Sequence, residues 1–151
     1  ITSRKRLMKK AGYSMSRIKE KIAEIEEYID ELEEFMPENY ESYMQDMKTK
    51  AACERYFEKI TEAMVDLAFL IIKDKGLKQP EDDKEAFDAL AKEKITSEEL
   101  AERLKRAKGM RNIIAHQYGS VDDEIVFHSI TEELVEDAET FLKSISKIYK
   151  E

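Results

Sequence analysis

Met15, Ile18, Ile22, Ile25, Ile29, Leu32 and Met36 recur at steps of three and four without a miss. That spacing returns each side chain to one face of a 3.6-residue helix, and charged residues fill the other face. The pattern predicts an amphipathic helix from Ser14, ended by Pro37. So regular a stripe also suits a coiled-coil seam, but it lasts only about three heptads, and packing within a bundle is the expectation. Ahead of it, residues 1–13 carry Arg4, Lys5, Arg6, Lys9 and Lys10. They read as a basic N-terminal extension, either a solvated helix start or an arm for an anionic partner.

The next strong stripe is Cys53, Tyr56, Ile60, Met64, Leu67 and Ile71, predicting a helix over 49–74. Phe57, Ala63, Ala68, Phe69 and Ile72 widen it until apolar groups nearly encircle its C-terminal half. Such a helix lies at the centre of a fold or at a subunit interface. Asp66 interrupts the apolar part, either facing water or orienting a polar partner. Gly76 is a candidate C-cap. Pro80 followed by Glu81, Asp82 and Asp83 predicts a short helix to about Glu93, burying Phe87 and Leu90. Thr96-Ser97-Glu98-Glu99 reads as a capping box for a helix through Leu100 and Leu104, with Arg103, Lys105, Arg106 and Lys108 on its exposed face. After Gly119, Ser120 or Asp122 is placed to cap a last helix carrying Val121, Ile125, Phe127, Ile130, Leu134, Ala138, Phe141, Ile145 and Ile148, with a bend near Thr131. Residues 38–48, with Tyr40 and Tyr43, are either a loop or an early helical turn.

No strand pattern, repeat or long linker appears. With four Gly and two Pro among 151 residues, little interrupts helix. The fold class expected is all-α: an antiparallel bundle of four to five helices in one domain. The formal net charge of −8 disfavours a general duplex-binding protein. The one cysteine, Cys53, forms no disulfide within the chain and reads as a buried, inert thiol. No apolar run reaches membrane-spanning length and no signal peptide is read, so the expected compartment is cytoplasmic.

One stretch breaks the helical monotony: Gly109-Met110-Arg111-Asn112-Ile113-Ile114-Ala115-His116-Gln117-Tyr118-Gly119. It holds one of the two histidines, with Arg, Asn and Tyr close by. Arginine pairs bidentately with phosphate and stabilises a developing phosphorane. Histidine titrates near neutrality and moves protons. No Gly-rich phosphate cradle and no metal-ligand spacing accompanies them, so no cofactor and no metal is expected. This chemistry suits attack of a ribose 2′-OH on its own phosphate. On an ideal helix, however, Arg111 and His116 stand about 140° apart. They converge if Arg111 reaches along the surface or if the helix loosens near its end at Gly119, and a two-fold dimer bringing two such sites together would supply more groups. Taken alone, an Arg-x4-His pattern is more often structural than catalytic. His128, Tyr13, Tyr40 and Tyr43 are read as packing or surface groups ahead of functional ones.

Arg111-Asn112-Ile113-Ile114-Ala115-His116-Gln117-Tyr118 resembles the Arg-x4-6-His signature of HEPN-domain proteins, in the Arg-Asn-x-x-x-His-x-Tyr form of the HepT-like family. The following Gly119-Ser120-Val121-Asp122, the Glu54-Arg55 pair, Pro80 and the apolar last helix are similar too, so the likeness spans most of residues 14–149. It implies a HEPN domain over 14–151 that dimerises, with both signatures lining a cleft. It implies a ribonuclease toxin whose cognate antitoxin is a minimal nucleotidyltransferase that silences it by AMPylation of Tyr118. Arg111 and His116 are then the catalytic pair, with Asn112 and Tyr118 in support. The cations Arg103, Arg106 and Lys108, with Lys105, are candidate guides for an RNA chain. A different class of function also accommodates the motif: a non-catalytic nucleotide- or substrate-binding subunit of a two-component nucleotidyltransferase.

Overall fold

The computed structural model describes residues 2–116 and 121–149, with side chains from Met15 onward. Those residues form helices α1 (Thr2–Phe35), α2 (Tyr40–Gln45), α3 (Met47–Asp74), α4 (Asp83–Lys92), α5 (Glu98–His116), α6 (Asp123–His128) and α7 (Val135–Ile148). A π-helical stretch, Ser129–Leu134, joins the last two. No strand occurs among the described residues. The all-α bundle is as the stripes predict, and its central member is α3. The residues Phe57, Ile60, Met64, Leu67 and Ile71 of α3 are all at most 1% exposed, and α1, α2, α4, α5 and the π stretch all pack on it. The α1 stripe meets α3 through Ile18, Ile25, Ile29 and Leu32.

Several boundaries differ from expectation, each for a local reason. Helix α1 begins at Thr2 rather than near Ser14: the basic segment holds no proline, and its one glycine, Gly12, costs a helix only about 1 kcal/mol. Residues 38–48 contain a short helix, capped by Asn39, whose side chain accepts from Ser42 N at 2.8 Å. It buries Tyr43, whose ring meets Phe127 at 5.0 Å. Asp46 then caps α3, accepting from Lys48 N and Thr49 N. Gly76 ends α3 as anticipated: at φ +65° it lets Leu77 N reach Ile72 O (3.0 Å) and Gly76 N reach Lys73 O (3.1 Å). Lys94 closes α4 in the same way at φ +61°, without glycine's freedom.

The cap of α5 is Ser97 rather than Thr96. Ser97 Oγ accepts from Leu100 N at 3.0 Å, while Thr96 is buried. The cap of α6 is Asp122, accepting from Glu124 N (3.0 Å) and Ile125 N (3.3 Å). The disturbance expected at Thr131 is the π stretch itself, in which Thr131 Oγ1 donates to Phe127 O at 2.9 Å. Helix α6 turns Val126 into the core and leaves Ile125 52% exposed, against the expectation that Ile125 joins the buried stripe. Tyr149 Oη donates to Asp74 at 2.6 Å and ties the end of α7 to the end of α3.

Candidate active site

Helix α5 carries the site, and it runs without a break through Gly109 to His116. Leu100, Ala101, Leu104 and Ile114 fix which side of α5 faces the core. Arg111 lies on that side, half-buried, with Nε 2.8 Å from Glu62 Oε1 of α3. Its Nη1 donates to Asn112 Oδ1 at 3.3 Å. His116 is exposed in the last turn of α5. Because the helix stays regular as far as His116, the pair remains about 140° apart around its axis. The loosening that would let them meet within one chain does not occur up to that residue. Gln117, Tyr118, Gly119 and Ser120 lie outside the described residues, so the expected modification target is not placed.

The cationic row divides. Lys108 is not on the exposed face; it is 7% exposed, held by Glu62 (2.8 Å) and Asp83 (3.0 Å). Burial pulls its ammonium down, but the two carboxylates outweigh that and the net shift is upward. Arg103 meets Asp137 (3.3 Å) and Glu99 (3.4 Å), and Lys105 meets Asp88 and Glu102. Arg106 is exposed.

A charge relay thus runs from Asp83 at the start of α4, through Lys108, to Glu62 and Arg111. Sequence reading missed Glu62 and Asp83 as site residues. The signal available was weak: Glu62 is an acid in the most apolar part of α3, one turn before Asp66, which did draw notice. Asp66 itself faces outward, 59% exposed and 3.5 Å from Lys21. Glu54 and Arg55 do not pair with each other. Glu54 meets Lys50, which also reaches Asp123 (3.1 Å), and Arg55 meets Glu58. His128 is exposed and 2.9 Å from Glu132. Cys53 is buried, and burial pushes its thiol up to about 11, away from nucleophilic use.

Among the described residues no group of three or more His, Cys, Asp or Glu is arranged to hold a metal ion. No helix among them is long and apolar enough to cross a membrane. What the arrangement offers chemically is a guanidinium braced from behind by a carboxylate, and an imidazole open to solvent on another face of the same helix.

Comparison with known proteins bears on this arrangement. An Archaeoglobus fulgidus protein is 34% identical over 110 residues, 72% of this chain and 83% of its own length. A second protein from that organism is 39% identical over 71 residues, and there the match spans about half of each chain, 47% and 53%. The mRNA nuclease HepT of Shewanella oneidensis is 29% identical over 103 residues, 68% of this chain and 77% of that protein. A solved structure of the tri-AMPylated Shewanella oneidensis HEPN toxin in complex with MNT antitoxin superposes with a TM-score of 0.80 at 28% identity, covering 86% of this chain and 96% of that one. The family model described as Ribonuclease HepT-like matches residues 25–145, a span that takes in α3, α4, all of α5 and the π stretch. The chain therefore belongs to the HepT-like ribonuclease family.

Proposed function

We propose that this protein is a ribonuclease toxin that works as a dimer, cleaving RNA by attack of a ribose 2′-OH on the adjacent phosphate. One observation carries the reading: Arg111 is anchored on the inner side of α5 while His116 stands exposed about 140° away. A second copy brings an Arg111 to each His116, supplying two imidazoles and two guanidiniums around one phosphate. One His116 takes the 2′-OH proton as the oxygen bonds to phosphorus. The His116 of the partner subunit returns a proton to the departing 5′-oxygen, leaving a 2′,3′-cyclic phosphate and a 5′-OH. Arg111 neutralises the charge that builds on the phosphoryl oxygens, and Glu62 holds its Nε side so that the outer nitrogens point to substrate. Asn112 steadies that guanidinium through Nη1. Arg103 and Arg106 guide the RNA chain along α5, whereas the burial of Lys108 assigns it to the brace behind Arg111.

The Shewanella oneidensis toxin, AMPylated and bound to MNT antitoxin, supports a minimal nucleotidyltransferase as the partner of this chain, and its motif position makes Tyr118 the hydroxyl proposed to accept AMP. Bulk and negative charge placed two residues from His116 would exclude a phosphate chain from the site.

The test is incubation of purified protein with total RNA in the presence of EDTA. Cleavage with 2′,3′-cyclic phosphate ends is expected, and it should vanish in both Arg111→Ala and His116→Ala with the helical circular dichroism unchanged. Cleavage persisting in both variants would refute the assignment.

A further inference from the structure

Beside α5, a cavity of about 230 Å³ that Glu62 does not line opens against the π stretch. Phe57, Met110 and Leu134 give it an apolar wall, and Met110 directly precedes Arg111 in the chain. Asp137 lines the same cavity and is only 7% exposed. Its carboxylate has an ion-pair contact with Arg103 at 3.3 Å, but Arg103 Nε, itself buried, is too far out of line to make a hydrogen bond. No other donor among the described residues reaches that carboxylate. The carboxylate opens onto the cavity and takes no hydrogen bond from the described residues, so the position suits a ligand that brings donors. Burial pushes the carboxyl upward from its ordinary range, Arg103 drawing it the other way. Arg106 reaches the cavity from its exposed side.

We infer that this cavity is a nucleobase subsite, and that the base it takes from a bound RNA strand is guanine. Apolar walls suit a flat ring, and the volume suits one base rather than a whole nucleotide. The carboxylate selects among bases. Guanine presents two adjacent N–H donors, N1 and the exocyclic N2, which one carboxylate accepts together; its O6 then faces the guanidinium groups of Arg103 and Arg106. Adenine and cytosine set a ring acceptor beside their amine, which the carboxylate repels, and uracil offers one donor between two carbonyls. The inference rests on the ribonuclease reading in taking RNA as the source of the base.

The experiment is calorimetric titration of the full chain with GMP, AMP, CMP and UMP. GMP is expected to bind at least about tenfold more tightly than the others. Asp137→Asn should erase that preference, and Ala107→Phe, which adds a ring at the cavity wall, should abolish GMP binding while the thermal melt shows a folded protein. Equal affinities, no GMP binding, or GMP binding unchanged in both variants would overturn the subsite. Mononucleotide binding needs no cleavage, so the two readings fail separately. A protein that cleaves RNA without regard to guanine loses the subsite alone. One that binds GMP and leaves RNA intact keeps the subsite and loses the ribonuclease assignment.

Discussion

Glu62 is the residue whose role depends most on where the chain has folded. It touches both Lys108 and Arg111 at 2.8 Å, and Lys108 lies 46 positions further along the sequence. Replacing it by glutamine keeps the shape and removes the charge. Glu62→Gln is therefore expected to lower the turnover number for RNA by about tenfold or more, with little change in melting temperature, because Lys108 keeps Asp83. A kinetic comparison that finds turnover untouched would deny Glu62 its place behind Arg111. The linkage sign for Lys108 follows from its raised pKa. The stabilisation it contributes is fully present below the ordinary lysine value and is lost only as pH climbs through the higher folded one. The brace is thus charged throughout the neutral range. None of this was legible in the sequence. A lysine in a row of cations reads as solvated, and burial became tolerable only because two carboxylates from other helices converge on it. The Arg111–His116 spacing, by contrast, was legible because both residues sit on one element.

At the scale of the element, the apolar stripes predicted the helices well because helical period and burial say the same thing twice. The ends were harder, since a cap depends on one hydroxyl or one φ angle. Thr96 and Ser97 are adjacent and chemically alike, and the choice went to the residue whose neighbour was wanted in the core. Lys94 is the counterpart of Gly76 at the end of α4, held at positive φ with a side chain that gains nothing from it. Lys94→Gly should stabilise the protein by about 0.5–1 kcal/mol, read from chemical denaturation at unchanged slope. The π stretch was sensed only as a bend at Thr131. A single extra residue per turn leaves the three-four spacing nearly intact, and along this stretch Ile125, Ser129, Glu133 and Asp137 line the cavity together.

At the scale of the whole molecule, the bundle was foreseeable from helix number and short connections, but the completeness of the site was not. One chain carries an anchored arginine and an exposed histidine on different faces of α5. Subunit exchange discriminates between a site within one chain and a site across two. Wild type and His116→Ala should together form mixed dimers whose shared site has only one of the two imidazoles it needs. After equal mixing and exchange about a quarter of the dimers carry both imidazoles, against half before exchange, so cleavage is expected to fall by about half. Cleavage unchanged, with exchange verified by native mass spectrometry, would place the full site within a single chain.

Under the proposed shared site, the unbroken run of α5 to His116 also makes activity a matter of dose. Where a catalytic pair is shared between chains, an isolated chain is inert. Below the dimer dissociation constant, cleavage should then rise with the square of protein concentration rather than in proportion to it. A cell that keeps such a protein scarce would be protected by dilution alone, and a modest surge in its synthesis would be felt out of proportion.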